Sequence, residues 1–304
     1  MKRFLLQILF FAIFSGITFL LILSLADGNS DPYYLRVTTP KQQSLILGTS
    51  KAALGLQPHI LNDVLGRKDM YNFAFTIFHS PFGSVYLKSI KKKVDSKSKN
   101  GIFIVTIDPY SISSRSAEPN NIDEFRENGS FLDDLVDINI FPNFPYLIKH
   151  YNYSYIYLLT KKMDYVNNDY LHNDGWYEVN ITMKEKALNE RITNKIKKYE
   201  KNLEQYNYSE VRYNFLIETI EFLKQHGEVY LVRLPVSYPF LEMENKLIPD
   251  FDNRMNKLSR EYDLKYLNFN NSTNLYEYTD GNHLYKTSGA VVSRKIAEWI
   301  KAQE

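Results

Sequence analysis

The amino-acid sequence predicts an α/β domain built on a parallel sheet of five strands, carried behind a membrane-spanning helix. Three observations predict it. The chain opens on a long apolar run, Phe4 to Ala26, preceded by Lys2 and Arg3. Five short apolar runs of strand length follow it. Between them lie stretches with helical spacing, and strands alternating with helices imply a parallel sheet covered on both faces.

Taken in order, the apolar run is broken only by Gln7, Ser15, Gly16, Thr18 and Ser24. As a helix rising about 1.5 Å per residue, it crosses a hydrocarbon core about 30 Å thick. The basic pair ahead of it places the long C-terminal part across the membrane. The chain therefore reads as a single-pass protein of the cell membrane, with its domain outside the cytoplasm. Ser24-Leu25-Ala26 also fits the cleavage site of a signal peptide. The length of the run favours an uncleaved signal-anchor over residues 1–26, and both readings export the domain. Residues 27–43, mostly polar with Pro32 and Pro40, read as a linker.

The α/β domain is expected over residues 44–304. Ser44-Leu-Ile-Leu47 is the first strand, stopping at Gly48-Thr49-Ser50. Lys51 to Leu65 has a helical pattern that Pro58 divides. Met70-Tyr-Asn-Phe73 is the second strand and Ser84 to Lys93 the helix behind it. Gly101 to Ile107 is the clearest strand and ends at Asp108-Pro109. Residues 110–182, dense in Tyr, Phe, Asn and Pro, read as an insertion over one end of the domain. Lys184 to Gln225 supplies one or two long helices whose charge run reads as a solvated face. Glu228 to Leu234 is the fourth strand, Leu264 to Phe269 the fifth, and Thr287 to Lys301 a closing amphipathic helix.

Composition excludes several chemistries. Behind the apolar run, basic and acidic residues balance at 35 each, which argues against a nucleic-acid partner. There is no cysteine, so disulfides, thiolate metal sites and cysteine nucleophiles are ruled out. The six histidines form no H-E-x-x-H or similar pair, and no glycine-rich phosphate loop occurs, so neither metal nor cofactor is implied.

In a parallel α/β sheet, ligands bind beyond the carboxyl ends of the strands, so the residues following the strands matter most. Ser50 follows the first strand at a helix start, where free N–H groups could stabilise an oxyanion. Serine is also a favoured helix N-cap and needs no catalytic role there. After the last strand, Asp280-Gly-Asn-His283 puts a carboxylate three residues before a histidine. That spacing on one tight loop lets Asp280 hold one ring nitrogen while the other faces outward to activate a serine hydroxyl. Gly281 eases the bend. The alternative is an Asx-type turn with an incidental histidine.

With Gly48-Thr49-Ser50 after the first strand and Asp280-Gly-Asn-His283 before the last helix, the chain resembles the SGNH (GDSL-like) hydrolase superfamily. It is most similar to the membrane-anchored envelope branch, which includes alginate O-acetyltransferase-like proteins and the D-alanine transfer protein of teichoic acid modification. Gly55-Leu56-Gln57-Pro58, Tyr71-Asn72-Phe73 and Arg233-Leu234-Pro235 support the likeness, which spans residues 44–109 and 228–302. Thr49 stands where the family has Asp, Gly55 lies one residue further on, and Ile107-Asp108-Pro109 replaces a Gly-x-Asn-Asp block. The resemblance implies a three-layer α/β/α, flavodoxin-like fold, with Ser50 as nucleophile, His283 as general base and acid, and Asp280 as its orienting partner. It also implies oxyanion donors from Ser50 and the second-strand loop, Asn72 to Ala74, with Asn173 a candidate for the missing donor.

The resulting expectation is an extracytoplasmic serine esterase or O-acyltransferase acting on an acylated envelope glycan or polymer, beside a membrane protein that donates acyl groups. Arg233 is a candidate to face an anionic substrate, or else to sit in a strand-end ion pair. Trp176 and the rings from Phe141 to Tyr177 could stack on sugars, or form the insertion's own small core. The competing class is a non-catalytic, membrane-tethered binding or assembly protein on the same fold.

Overall fold

The computed structural model describes residues 1–160 and 169–303, so the stretch 161–168 of the expected insertion lies outside it. With no charge between Phe4 and Ala26, the apolar run satisfies its backbone internally as one helix, α1 (Lys2–Leu23). Its side chains stay exposed until the last turn, where Leu23 and then Ala26 enter the domain core.

The polar stretch behind α1 packs onto the domain. Tyr34–Val37 forms a 3-10 turn with all four side chains buried. Arg36 explains it: the buried guanidinium donates to the carbonyls of Gly175 at 2.7 and 3.0 Å, Pro32 at 2.9 Å and Ala53 at 3.4 Å. Burial pulls its pKa down to about 10. Residues 27–43 thus join α1 to the domain as a packed segment, because Arg36 satisfies buried protein carbonyls rather than water.

The domain begins with β1 (Ser44–Leu47), α2 (Ser50–Gly55) and α3 (Pro58–Leu65), with Pro58 at the first position of its helix. β2 (Met70–Asn72), α4 (Ser84–Lys93) and β3 (Gly101–Thr106) follow. The expected insertion contains β4 (Ser113–Ser114), α5 (Phe131–Asp134), α6 (Phe144–Lys149), α7 (Tyr157–Thr160), β5 (Tyr170–Leu171) and β6 (Tyr177–Glu178). After it come α8 (Glu185–Leu203), β7 (Asn207–Tyr208) and α9 (Glu210–Lys224). The chain then adds β8 (Gly227–Arg233), α10 (Tyr238–Leu247), α11 (Phe251–Glu261), β9 (Lys265–Asn268) and α12 (Lys286–Lys301). α10 and α11 have no counterpart in the sequence reading.

Five strands form one parallel sheet in the order β2-β1-β3-β8-β9, with Leu45 opposite both Tyr71 and Phe103, and Val105 opposite Leu231. Alternate side chains feed two cores. Leu45, Leu47, Phe103, Val105 and Leu231 pack under α4, α9 and α11, while Ile46, Ile104 and Val232 pack under α2, α3 and α12. Each fully buried side chain of this size contributes about 1.5–3 kcal/mol. The α/β class, the five-stranded parallel sheet flanked by helices and the apolar N-terminal helix are as expected. The insertion's aromatics are not a separate core: Phe131, Tyr146 and Tyr151 belong to the same cluster as Leu23 and Phe75.

From β1 the sheet extends to β2 on one side and to β3 on the other. This reversal opens a crevice beyond the carboxyl ends of β1 and β3. Ser50 and Asp108 follow those two strands.

Candidate active site

The turn leaving β1 is held by its backbone. Gly48 has φ +136°, and a Cβ there would collide with the Thr106 hydroxyl. Its N–H donates to the Tyr86 hydroxyl at 3.1 Å, and its carbonyl accepts from Ser80 Oγ at 2.7 Å. Two residues later, Ser50 opens α2 with its side chain partly exposed.

Across the crevice, the loop after β9 brings His283 to Ser50. Ser50 Oγ lies 2.8 Å from His283 Nε2, and His283 Nδ1 lies 2.9 and 3.1 Å from the two carboxylate oxygens of Asp280. Asp280 Oδ1 also accepts the backbone N–H groups of Asn282 and His283, each at 3.0 Å. The Asx turn and the Asp–His pair, alternatives in the sequence, are therefore one structure. Gly281, at φ +85°, packs so closely under Phe240 that a Cβ would strike the ring. All three residues of the expected triad are brought together.

A cation completes the group. Lys195 Nζ of α8 sits 3.0 Å from Asp280 Oδ2, so the charged helix is not simply a solvated face. α8 is drawn in because Ile196, Tyr199 and Leu203 pack on Val236, Phe240 and Met243. Burial opposes ionisation of Asp280, but His283 and Lys195 outweigh it and hold the carboxyl far below the usual range. Burial also lowers the His283 pKa; Asp280 pulls it back up, Lys195 and Lys51 push it down, and the balance stays below the ordinary value. The lowered pKa favours the uncharged ring. With Nδ1–H directed at the carboxylate, Nε2 is left to accept the Ser50 proton.

The oxyanion candidates fare differently. The Asn72 N–H donates to the Asp174 carbonyl at 2.8 Å, and its amide nitrogen to the carbonyls of Ala52 and Leu56. The Ala74 N–H donates to Asn72 Oδ1 at 3.1 Å. Asn72 thus stitches β2 to α2, and neither residue has a donor free for an oxyanion, which corrects that expectation. Asn173 is exposed on a turn lining a different hollow, with His59 and Trp176, that shares no residue with the Ser50 cavity. Of the candidates at the crevice, Ser50 keeps an uncommitted N–H, at the first position of α2 where a helix offers no internal acceptor.

The two substrate-binding candidates are also placed elsewhere. Arg233 is buried, bonded to Glu244 and Asp252 at 2.8 Å each and stacked on Phe251. Trp176 anchors the insertion: its indole N–H donates to the Leu54 carbonyl at 2.9 Å, and its face stacks on His172. Neither reaches Ser50. Arg233 instead belongs to a buried charge network in which Glu244 also binds Lys51, and Lys51 lies 3.1 Å from Asp108.

The cavity at Ser50 is narrow, about 20 Å³, with room for roughly one water. Tyr110, Tyr199, Tyr206, Asn202 and Asn282 line it alongside Lys51 and Asp108. The carbonyl of the buried Asn282 side chain and the Tyr110 hydroxyl have no protein partner there, so both can meet a polar group of a ligand. Asn282 was legible inside the Asp-Gly-Asn-His block. Lys195 and Tyr199 of α8 carried no signal, because only helix packing brings them over. Among the described residues no set of three or more His, Asp or Glu side chains gathers into a metal site.

Fold and site together define an α/β protein with a serine, a histidine and an aspartate in line at the switch point of a parallel sheet. No protein-family model matches the chain, and a search of curated proteins finds no relative.

Proposed function

We propose that the chain is a membrane-anchored serine acyl-transfer enzyme resembling the SGNH superfamily, working outside the cytoplasm on an acylated envelope glycan or polymer. The observation that carries this is the unbroken path from Ser50 Oγ through His283 to Asp280. Ser50 Oγ attacks an ester or thioester carbonyl while its proton passes to His283 Nε2. The C–O or C–S bond then breaks, and the leaving group takes that proton. The acyl-enzyme is discharged when water or a sugar hydroxyl attacks it and gives its own proton to Nε2; the bond from the acyl carbon to Ser50 Oγ then breaks, and Oγ takes that proton back. Water as acceptor makes the protein an esterase, and a hydroxyl makes it an O-acyltransferase fed by a membrane acyl donor.

Anchorage by an uncleaved α1 is supported by burial. Cutting after Ala26 would strip Leu23 and Ala26 from the core they help fill. The committed N–H groups of Asn72 and Ala74 favour the rival reading, a non-catalytic binding or assembly protein. Full-length protein treated with a fluorophosphonate probe separates the two. Labelling should vanish in Ser50→Ala and fall by about 10⁴-fold in rate in Asp280→Asn, the loss typical of a triad without its carboxylate. Labelling that is absent, or indifferent to Ser50, sinks the catalytic reading.

A further inference from the structure

Hydrophobic exposure in the domain is concentrated in one place. Twelve large hydrophobic residues beyond position 26 are exposed among the described residues, and eight of them fall between 136 and 159. They include Ile140, Phe141, Ile148, Ile156 and Leu159, each close to half exposed or more. Such density exceeds the scattered apolar exposure of an ordinary soluble surface and marks an interaction site.

The position of this patch says what covers it. α6 and α7 both pack against the end of α1, and Leu23 shares a core with Leu147, Tyr151 and Leu158. The rings of Phe19 and Tyr155 meet edge to face, with centroids 5.2 Å apart. Phe19 lies four residues before the end of α1, about 6 Å along the helix axis. The corner formed by α6 and α7 therefore hangs beside the last turn of the apolar helix, at the depth where headgroups meet acyl chains. Tyr151, Tyr153, Tyr155 and Tyr157 gather at the same corner, and tyrosine is the residue enriched at that depth.

We infer that the exposed apolar side of α6 and α7 is a lipid-contact face, seated in the interfacial layer of the bilayer that α1 crosses. It rests on α1 spanning the membrane and is independent of the role given to Ser50. The domain then stands on the membrane at two points, helix and patch, with residues 27–43 packed between rather than swinging as a tether. The crevice at Ser50 is held at a fixed height and tilt above the lipid surface.

The absence of native cysteine makes a clean test possible. Nitroxide labels are placed singly, by Ile148→Cys, Ile156→Cys and Leu159→Cys, in full-length protein in phosphatidylethanolamine–phosphatidylglycerol vesicles. Val291→Cys, an exposed apolar position on α12, is the aqueous control. Collisions with oxygen should exceed those with a water-soluble nickel chelate at 148, 156 and 159, and the order should reverse at 291. Nickel access at the three sites equal to that at 291 overturns the inference. Protection from both reagents overturns it too, since the face would then be covered by protein. Fluorophosphonate labelling in the same samples reports separately on Ser50.

Discussion

Glu244 is the pivot of the buried charge network beside the candidate nucleophile, and its removal is the most informative perturbation of the fold. One carboxylate oxygen binds Lys51, the residue after Ser50, and the other accepts from Arg233 at 2.8 Å. Burial opposes its ionisation, but the two cations outweigh that and lower its pKa. Glu244→Gln keeps the shape, removes the charge and turns an N–H group toward a cation. Breaking a buried pair from one side costs about 3–5 kcal/mol. Here Lys51 keeps Asp108 at 3.1 Å and Arg233 keeps Asp252 at 2.8 Å, so the lower end applies, about 3 kcal/mol. At roughly 2–4 °C per kcal/mol for a domain of this size, Tm should fall by about 6–12 °C. Near-UV circular dichroism of full-length protein in detergent would follow the melt. Because the folded pKa is depressed, the stabilisation is complete above the ordinary glutamate value of about 4.3 and fades as pH falls through the folded one. The gap between wild type and variant should therefore narrow in acid. Replacing Arg233 as well, in Glu244→Met/Arg233→Met, should recover part of the loss. A Tm shift under about 2 °C for Glu244→Gln at neutral pH would refute the view that this network stabilises the fold.

Two further predictions concern residues that the tertiary structure brought in. Lys195 lowers the His283 pKa from across the Asp280 carboxylate, so Lys195→Met should raise it and move the acid limb of the pH–labelling profile to higher pH. The plateau above that limb should keep its rate, and an unmoved limb means that Lys195 is not coupled to the histidine. Arg36→Met should leave the Gly175 and Pro32 carbonyls unbonded, at a cost of about 2 kcal/mol. Proteolysis within residues 27–43 should then speed up about 30-fold, where 1.4 kcal/mol is a factor of ten; an unchanged rate would show that Arg36 does not pin that segment.

Much of this protein is local and therefore legible in the sequence. A parallel strand buried on both faces needs a run of apolar residues, so Ser44–Leu47 and Gly101–Thr106 announce themselves. The span of α1 follows from length and apolarity, and the Asp–His pair from a three-residue spacing on one turn. Ser50 was legible only as a residue after a strand. What makes it notable is its 2.8 Å approach to a histidine 233 residues away, which the strand order decides. Partners chosen by packing left no trace in sequence. The polar stretch 27–43 looks like a tether until Arg36 finds the carbonyls of Gly175 and Ala53. Arg233 reads as either a ligand-facing cation or a strand-end ion pair, and α10 decides for the pair by bringing Glu244 under it. Asn72 looks like an oxyanion donor until its hydrogens are spent on α2 and the insertion. The physical reason is the same in each case. Apolar patterning follows from neighbours along the chain, whereas a buried polar group takes whichever partner the fold places within about 3 Å.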